Sequence, residues 1–250
     1  MPNIIKPYIK HEDLAKIAKE APIVAETTKT KTEQTPQIQT PQTQVDAQDI
    51  DDFIYVPPIN LYVAKERSLN GLKWNQTIDE IYTKGITIEG IRAEMPTPFE
   101  FMSFLEYLLS GRINGLAEKE RKAIINDILK AGGYRGNHLN AKFIEGTGFN
   151  NLGIETIILE PSGNPVKKTE PLLPCLSTGW ADINSKNSQG LLTKPYGSSY
   201  EQGKNVYFWV PIIDSVARFR AGSGRAGLNC DRGPDDSDAS LGVRLARKKI

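Results

Sequence analysis

The scarce residues narrow the field first. The 250-residue chain has two cysteines, Cys175 and Cys230, and two histidines, His11 and His138. Two cysteines cannot build a disulfide framework; they leave either one bridge or two unpaired thiols. Two histidines so far apart bring no Ser-His-Asp arrangement and no metal-ligand spacing. Neither sign of charge is in excess: 31 Lys and Arg face 30 Asp and Glu, for a formal net charge of +1. That balance excludes a long-range pull toward nucleic acid or an anionic membrane. No apolar run approaches the roughly 20 residues that span a bilayer, so membrane insertion is not expected. The opening MPNIIKPYIKHEDL has neither an apolar h-region nor a small-residue cleavage site, so no secretory signal is read there. No internal repeat is found. What is present is 39% hydrophobic and 24% charged residues, enough for a real core in one large domain or two small ones.

Two regions stand out by composition. KHEDLAKIAKE (10–20) places Leu14, Ile17 and Ala18 on one face of a short helix, and the following stretch, 22–48, is rich in Thr, Gln and Pro without an aromatic residue. Such a segment buries too little to offset the entropy of ordering, so 1–48 reads as a tail: a short helix, then a flexible linker. From 49 onward, Phe53, Tyr55, Leu61 and Val63 alternate around Pro57-Pro58. TPFE at 97–100 predicts a helix start, with Thr97 as cap, Pro98 at the first helical position and Glu100 closing a capping box. That helix should run to Leu109 and stop at Gly111. A second helix is predicted over 117–131, ending at Gly132-Gly133. Beyond it come short β-like runs. ETIIL and VKKTEPLLP flank Ser-Gly-Asn as a hairpin, 181–205 is polar and loop-like, VYFWV (206–210) is a strand, and LGVRLAR (241–247) is a strand with Leu241, Val243 and Leu245 on one face. Helices in the middle and strands after them indicate an α+β domain over 49–250. A terminal strand beside the sheet would leave 219–240 as a long irregular loop, and loops of that length are usually functional.

Residues 221–229, AGSGRAGLN, place glycines at 222, 224 and 227 in the G-x-G-x-x-G spacing of a dinucleotide loop. That chemistry needs a strand before the glycines and a helix after them. LNCDRGPDDSD, with Gly233, Pro234 and four aspartates, cannot supply the helix. The spacing is therefore assigned to composition, and the composition needs its own explanation.

The run ARFRAGSGRAGLNCDRGPDDSDASLGVRLARK resembles the C-terminal variable region of proteins diversified by diversity-generating retroelements. LGVRLAR is similar to the strand that closes the formylglycine-generating-enzyme type of C-type lectin fold. IRAEMPTPFEFMSFL looks like the start of one of that fold's two helices, and YFWV looks like the strand before the variable loops. The resemblance spans roughly 50–250 and is specific in the last 35 residues. It implies a C-type lectin fold of two helices, short antiparallel strands and long loops, with a variable region of about 218–245. In that family, template adenines are miscopied by a reverse transcriptase. Asn codons changed at their first two bases cannot encode Lys, Glu, Gln, Met or Trp. From Phe219 to Ser240 none of those five residues occurs, and every charge is Arg or Asp. Carried onto this chain, the resemblance marks Arg220, Ser223, Gly224, Arg225, Asn229, Asp231, Gly233, Asp235, Asp236 and Asp238 as variable, ligand-binding positions. Gly222 and Gly227 would be fixed scaffold glycines, and Phe219, Leu228, Pro234, Leu241 and Val243 the supports. The implied function is non-enzymatic recognition of a protein or glycan on a cell surface, by a virion or by a protein in the cytoplasm of the producing cell, with a homo-oligomer or virion assembly supplying multivalency. The variable positions hold no aromatic anchor, so a single site should bind weakly.

Other readings stay beside this one. Asp231, Asp235, Asp236 and Asp238 could hold calcium, but their spacing is not that of an EF-hand and nearby arginines compete for the carboxylates. No other cofactor is expected. Formylglycine-generating enzymes hold copper with a close cysteine pair; Cys175 and Cys230 do not match its spacing, which leaves the oxidase as an alternative, as is a purely structural virion protein. His138 reads as a structural hydrogen-bonder. Asn75-Gln76-Thr77 is a formal glycosylation sequon. Trp74, Trp180 and Trp209 read as core, and RLARKKI as a solvated tail.

Overall fold

The apolar residues flanking Pro57 and Pro58 pair as an antiparallel hairpin, β1 (Phe53–Val56) and β2 (Leu61–Ala64). The prolines cannot donate to a ladder, and they occupy the 3-10 turn Pro57–Ile59 between the strands. The structure is a computed structural model describing residues 50–111, 113–236 and 238–249, all within one unit, Pro41–Ile250. The helix expected over 10–20, the linker over 22–48 and His11 lie outside the described residues. Past β2, a short helix α1 (Trp74–Ile78) runs into a π-helical turn, Asp79–Thr83, and a small hairpin follows, β3 (Thr87–Ile88) with β4 (Ile91–Arg92).

Helix α2 (Pro98–Ser110) starts as its capping box dictates. The Glu100 N–H donates to Thr97 Oγ1 at 3.2 Å, and the Thr97 N–H donates to Glu100 Oε2 at 2.7 Å. It stops at Gly111, whose φ of 72° is the left-handed conformation a helix end uses. Helix α3 (Glu118–Leu129) ends before the expected Gly132-Gly133, because Lys130 already turns to an extended ψ of 119°. The Arg135 guanidinium satisfies the freed carbonyls there, donating to Asn126, Asp127 and Lys130.

The remaining strands are β5 (Arg135–Glu145), β6 (Leu152–Leu159), β7 (Pro165–Pro171), β8 (Gly179–Asp182), β9 (Asn205–Trp209), β10 (Val216–Ala221), β11 (Ala226–Arg232), β12 (Leu241–Gly242) and β13 (Ala246–Lys248). An eight-stranded sheet is ordered β7-β6-β5-β10-β11-β9-β8, with β12 beside the start of β5. Its pairs are antiparallel except β11 with β9 and β12 with β5. The expected hairpin at Ser-Gly-Asn is β6–β7, registered Leu159 to Pro165. The protein is thus α+β, with few helices and mostly sheet.

One face of this sheet packs on α2 and α3. Phe101, Leu105, Leu108, Ile128 and Leu129 meet Phe143, Phe208, Phe219 and Leu228, and the Phe101 and Phe219 rings lie 5.1 Å apart. Burying each such side chain contributes about 1.5–3 kcal/mol. A second cluster, with Trp74, Ile81, Tyr82, Met95, Val243 and Leu245, meets Ile157 and Val216 of the sheet's other face.

Three expectations are corrected. First, 219–240 is not a long irregular loop. Its part 219–232 belongs to the central hairpin β10–β11, because Phe219, Ala221, Ala226, Leu228 and Cys230 alternate into the core. The Gly, Arg and Asp of the opposite face conceal that alternation. Second, 241–247 is not one strand with one apolar face. It splits into β12 and β13, and all of it is buried, since segments pack on both sides. Third, RLARKKI is not a solvated tail. Arg244 is 1% exposed and donates to the Ala64 and Lys65 carbonyls and the Asp127 carboxylate. Arg247 is also buried, paired with Glu89 at 2.6 Å. Lys248 and Lys249 are exposed.

Candidate binding surface

Register decides which side chains share the sheet's open face. Arg218 lies opposite Asn229 and Arg220 opposite Gly227. Gly227 in turn lies opposite Tyr207, Asn229 opposite Trp209, and Tyr207 opposite Trp180. Paired residues point to the same side of a sheet. Arg218, Arg220, Gly227, Asn229, Tyr207, Trp209 and Trp180 therefore form one face, opposite the helices.

The candidate positions divide among three elements. Arg220 is on β10, Ser223, Gly224 and Arg225 are in the turn, and Asn229 and Asp231 are on β11. Gly233, Asp235, Asp236 and Asp238 follow in the loop to β12. Ser223, Gly224, Arg225, Asp235 and Asp236 are exposed, and the others are half-buried. Of the expected supports, Phe219, Leu228, Leu241 and Val243 are buried, and Pro234 is half-buried.

The three glycines of G-x-G-x-x-G lie in a hairpin with no helix after them, so the pyrophosphate cradle has no counterpart here. They are not equivalent. A Cβ at Gly227 would stand 2.4 Å from the Tyr207 carbonyl oxygen and 2.6 Å from the Trp209 ring, so only glycine fits under that indole. At Gly224 a Cβ would meet nothing within 4 Å among the described residues. Gly222 does not behave as an obligatory scaffold glycine: its φ is not left-handed, and the nearest atom to a Cβ is the Arg225 carbonyl at 4.0 Å.

Between β10, β11 and the loop lies a cleft of about 340 Å³, lined by Arg218, Arg220, Asn229, Arg232, Asp236 and Asp238. Arg220 pairs with Asp238 at 2.7 Å, and Arg218 reaches Asp236 at 3.9 Å and the Gly233 carbonyl. Burial works to raise the Asp238 carboxyl. The Ser240 hydrogen bonds, at 2.6 and 3.0 Å, and the two arginines outweigh it, leaving the group below its ordinary value. Burial also depresses Arg218. Asp231, Asp236 and Asp238 thus each face an arginine, and Asp235 accepts from Asn75, rather than the four gathering at one point. Among the described residues, no three His, Cys, Asp or Glu side chains come together as a metal site.

Next to this cleft runs a strip of aromatic rings that sequence reading placed in the core. Trp74 is buried, its Nε1–H donating to the Leu139 carbonyl at 2.8 Å, but Trp180 and Trp209 are half-exposed. Trp180 meets Tyr207 edge-on at 5.1 Å, and Tyr207 meets Trp209 at 4.5 Å. The Arg225 guanidinium lies over Tyr207 at 4.4 Å and Trp209 at 5.0 Å. The signal was present in NVYFWV. Val206 and Phe208 take the core face, so Tyr207 and Trp209 must take the other. Arg218 and Arg232, also of this face or its rim, were not singled out by sequence.

The remaining candidates are structural. His138 Nε2 donates to the Leu72 carbonyl at 3.0 Å, and desolvation lowers its pKa to about 4. Both cysteines are free. Burial raises Cys175 to about 11 and Cys230 well above the ordinary thiol value, so neither is an activated thiolate. Asn75 of the sequon sits in α1 and donates to Asp235 at 3.2 Å. A larger cleft of about 660 Å³ lies by Lys65, Arg67, Glu120, Asp127 and Arg244, charges of both signs that largely pair with one another. Among the described residues no helix is long and apolar enough to cross a membrane. Compared with protein-family models, with curated proteins and with solved structures, the chain matches none.

Proposed function

We propose that this chain is a ligand-binding protein, not an enzyme, whose C-terminal surface residues are diversified by adenine-directed mutagenesis on a fixed C-type-lectin-like scaffold. It serves recognition of a viral or cell-surface target, from a virion or from the producing cell. The observation that carries the reading is one of placement. Every candidate position, from Arg220 to Asp238, escapes burial, while Phe219, Ala221, Ala226, Leu228 and Cys230, interleaved with them on β10 and β11, are buried. A mutagenised surface requires that separation, because side chains that change must stay out of a close-packed core. Two helices on one sheet face, short strands and the irregular stretch 183–204 suit the lectin-like scaffold.

The test is deep sequencing of the 3′ end of the gene, with its flanking DNA, in a natural population. The expected result is variation confined to codons such as 220, 224, 225, 231, 233, 236 and 238, with a nearby template repeat carrying adenines there. A uniform 3′ end with no template would overturn the proposal.

A further inference from the structure

Arg225 differs from the other arginines of the open face. Arg218 and Arg220 are engaged by Asp236 and Asp238, whereas the Arg225 guanidinium has no carboxylate within ion-pair distance among the described residues. It is exposed, with its Cζ 4.4 Å from the Tyr207 ring centroid and 5.0 Å from that of Trp209. A cation–π contact of this kind leaves N–H donors of the guanidinium available, and that fork of donors matches a carboxylate in bidentate fashion. The rings beneath are held in place. Trp209 rests on the bare backbone of Gly227, and Tyr207 is wedged by Trp180. A cation held this way has little freedom left to lose on binding.

Exposed large apolar residues are joined by backbone hydrogen bonds to the strands at both ends of the strip. Ile212 and Ile213 are 50% and 52% exposed, and the Ile212 N–H donates to the Cys230 carbonyl at 3.2 Å, at the end of β11 beyond Trp209. Tyr196, 40% exposed, donates its N–H to the Trp180 carbonyl at the other end. Trp, Tyr and Arg are the residues that dominate binding energy at protein interfaces.

We propose that the Trp180–Tyr207–Trp209–Arg225 strip, with Ile212 and Ile213, docks a protein segment in which an Asp or Glu is flanked by apolar side chains. The carboxylate takes the edge of Arg225, and its apolar neighbours cover Trp209 and the two isoleucines. An acidic glycan would satisfy Arg225 but would leave Ile212 and Ile213 unrewarded, which favours the protein segment. This rests on the binding reading above and deepens it. The anchor missing from the mutable positions comes from rings outside them, so the fixed rings supply affinity, while Arg225 and the adjacent hairpin and cleft supply selectivity.

The experiment is selection of a displayed random-peptide library against the full chain, against Arg225→Gln and against an Ile212→Ser/Ile213→Ser double variant, beside an array of sialylated and neutral glycans. All three substituted side chains are exposed, so the variants keep the fold. The expected result is enrichment of peptides with Asp or Glu beside Leu, Phe or Trp. Their amidated Asn or Gln counterparts should bind about tenfold more weakly, a difference that disappears in Arg225→Gln. The double variant should weaken acidic and amidated forms alike. Enriched peptides lacking acids, equal binding of acid and amide forms, or binding of sialylated glycans without peptides would overturn the acidic partner while leaving a binding surface in place. Enrichment of no peptide and no glycan would overturn the docking strip, and gene sequencing separately decides whether the diversification reading falls with it.

Discussion

His138 is fully buried, with Arg218 and Asp238 the charged groups that act on it and Nδ1 without a hydrogen-bond partner among the described residues. Its pKa is about 4 in the folded chain, against the ordinary 6.5 once unfolded. The unfolded chain therefore binds more protons between those values, and stability rises with pH across that window and levels off above it. The difference amounts to roughly 3 kcal/mol of stability lost on acidification. As the pH falls from 6.5 toward 4, the urea midpoint of the wild type should drop more steeply than that of His138→Gln, on top of a constant offset between the two above pH 6.5. Parallel curves would remove His138 as the cause. Two glycines give a second prediction at this scale. Gly227→Ala should cost about 1–3 kcal/mol, because its Cβ has nowhere to go beside Tyr207 and Trp209. Gly224→Ala, with open space around it, should stay within about 0.5 kcal/mol. Thermal melts of the two proteins check both.

At the scale of elements, β10–β11 is a structural core strand pair and an exposed face at once. Phe219→Ala or Leu228→Ala should destabilise by about 2–5 kcal/mol, since both are fully buried against α2 and its neighbours. Ser223→Asn or Asp235→Asn should change stability by less than about 0.5 kcal/mol. Denaturant titrations would distinguish these classes, and equal costs would contradict the division of faces. Elements whose signal is local were legible in the sequence: the Thr97–Glu100 capping box and Gly111 stop of α2, and the β6–β7 hairpin at Ser-Gly-Asn. The hairpin β10–β11 was not, because its buried face is built largely from Ala and Cys, which carry little β signal, and its other face from Gly, Arg and Asp, which look like a loop. The split of 241–247 and the burial of Arg244 were also hidden. They depend on partners nearly two hundred residues away in the chain, such as Ala64 and Lys65. Trp180 and Trp209 were misplaced because a tryptophan is ordinarily assigned to the core, although the alternation in NVYFWV pointed outward.

At the scale of the molecule, Asp127 ties distant parts of the chain together. It pairs with Arg67 after β2, with Arg135 of β5, and with the buried Arg244 between β12 and β13. Asp127→Asn should lower global stability by about 3 kcal/mol, because it strands the Arg244 charge in the interior. Arg244→Met should cost less than the Asn variant. Calorimetry on both would check that order. Arg244 in this way ties the segment between β12 and β13 to α3 and to the residues after β2. The central claim is that this face tolerates change and the layer beneath it does not. Its most direct measurement is a protease-resistance sort of two libraries of the full chain. One carries every codon reachable from Asn at Arg220, Ser223, Gly224, Arg225, Asn229, Asp231, Gly233, Asp235, Asp236 and Asp238. The other carries the same codons at Phe219, Ala221, Ala226, Leu228 and Cys230. The expected result is that most of the first library stays folded and nearly all of the second does not. Equal loss of folding in both libraries would contradict it.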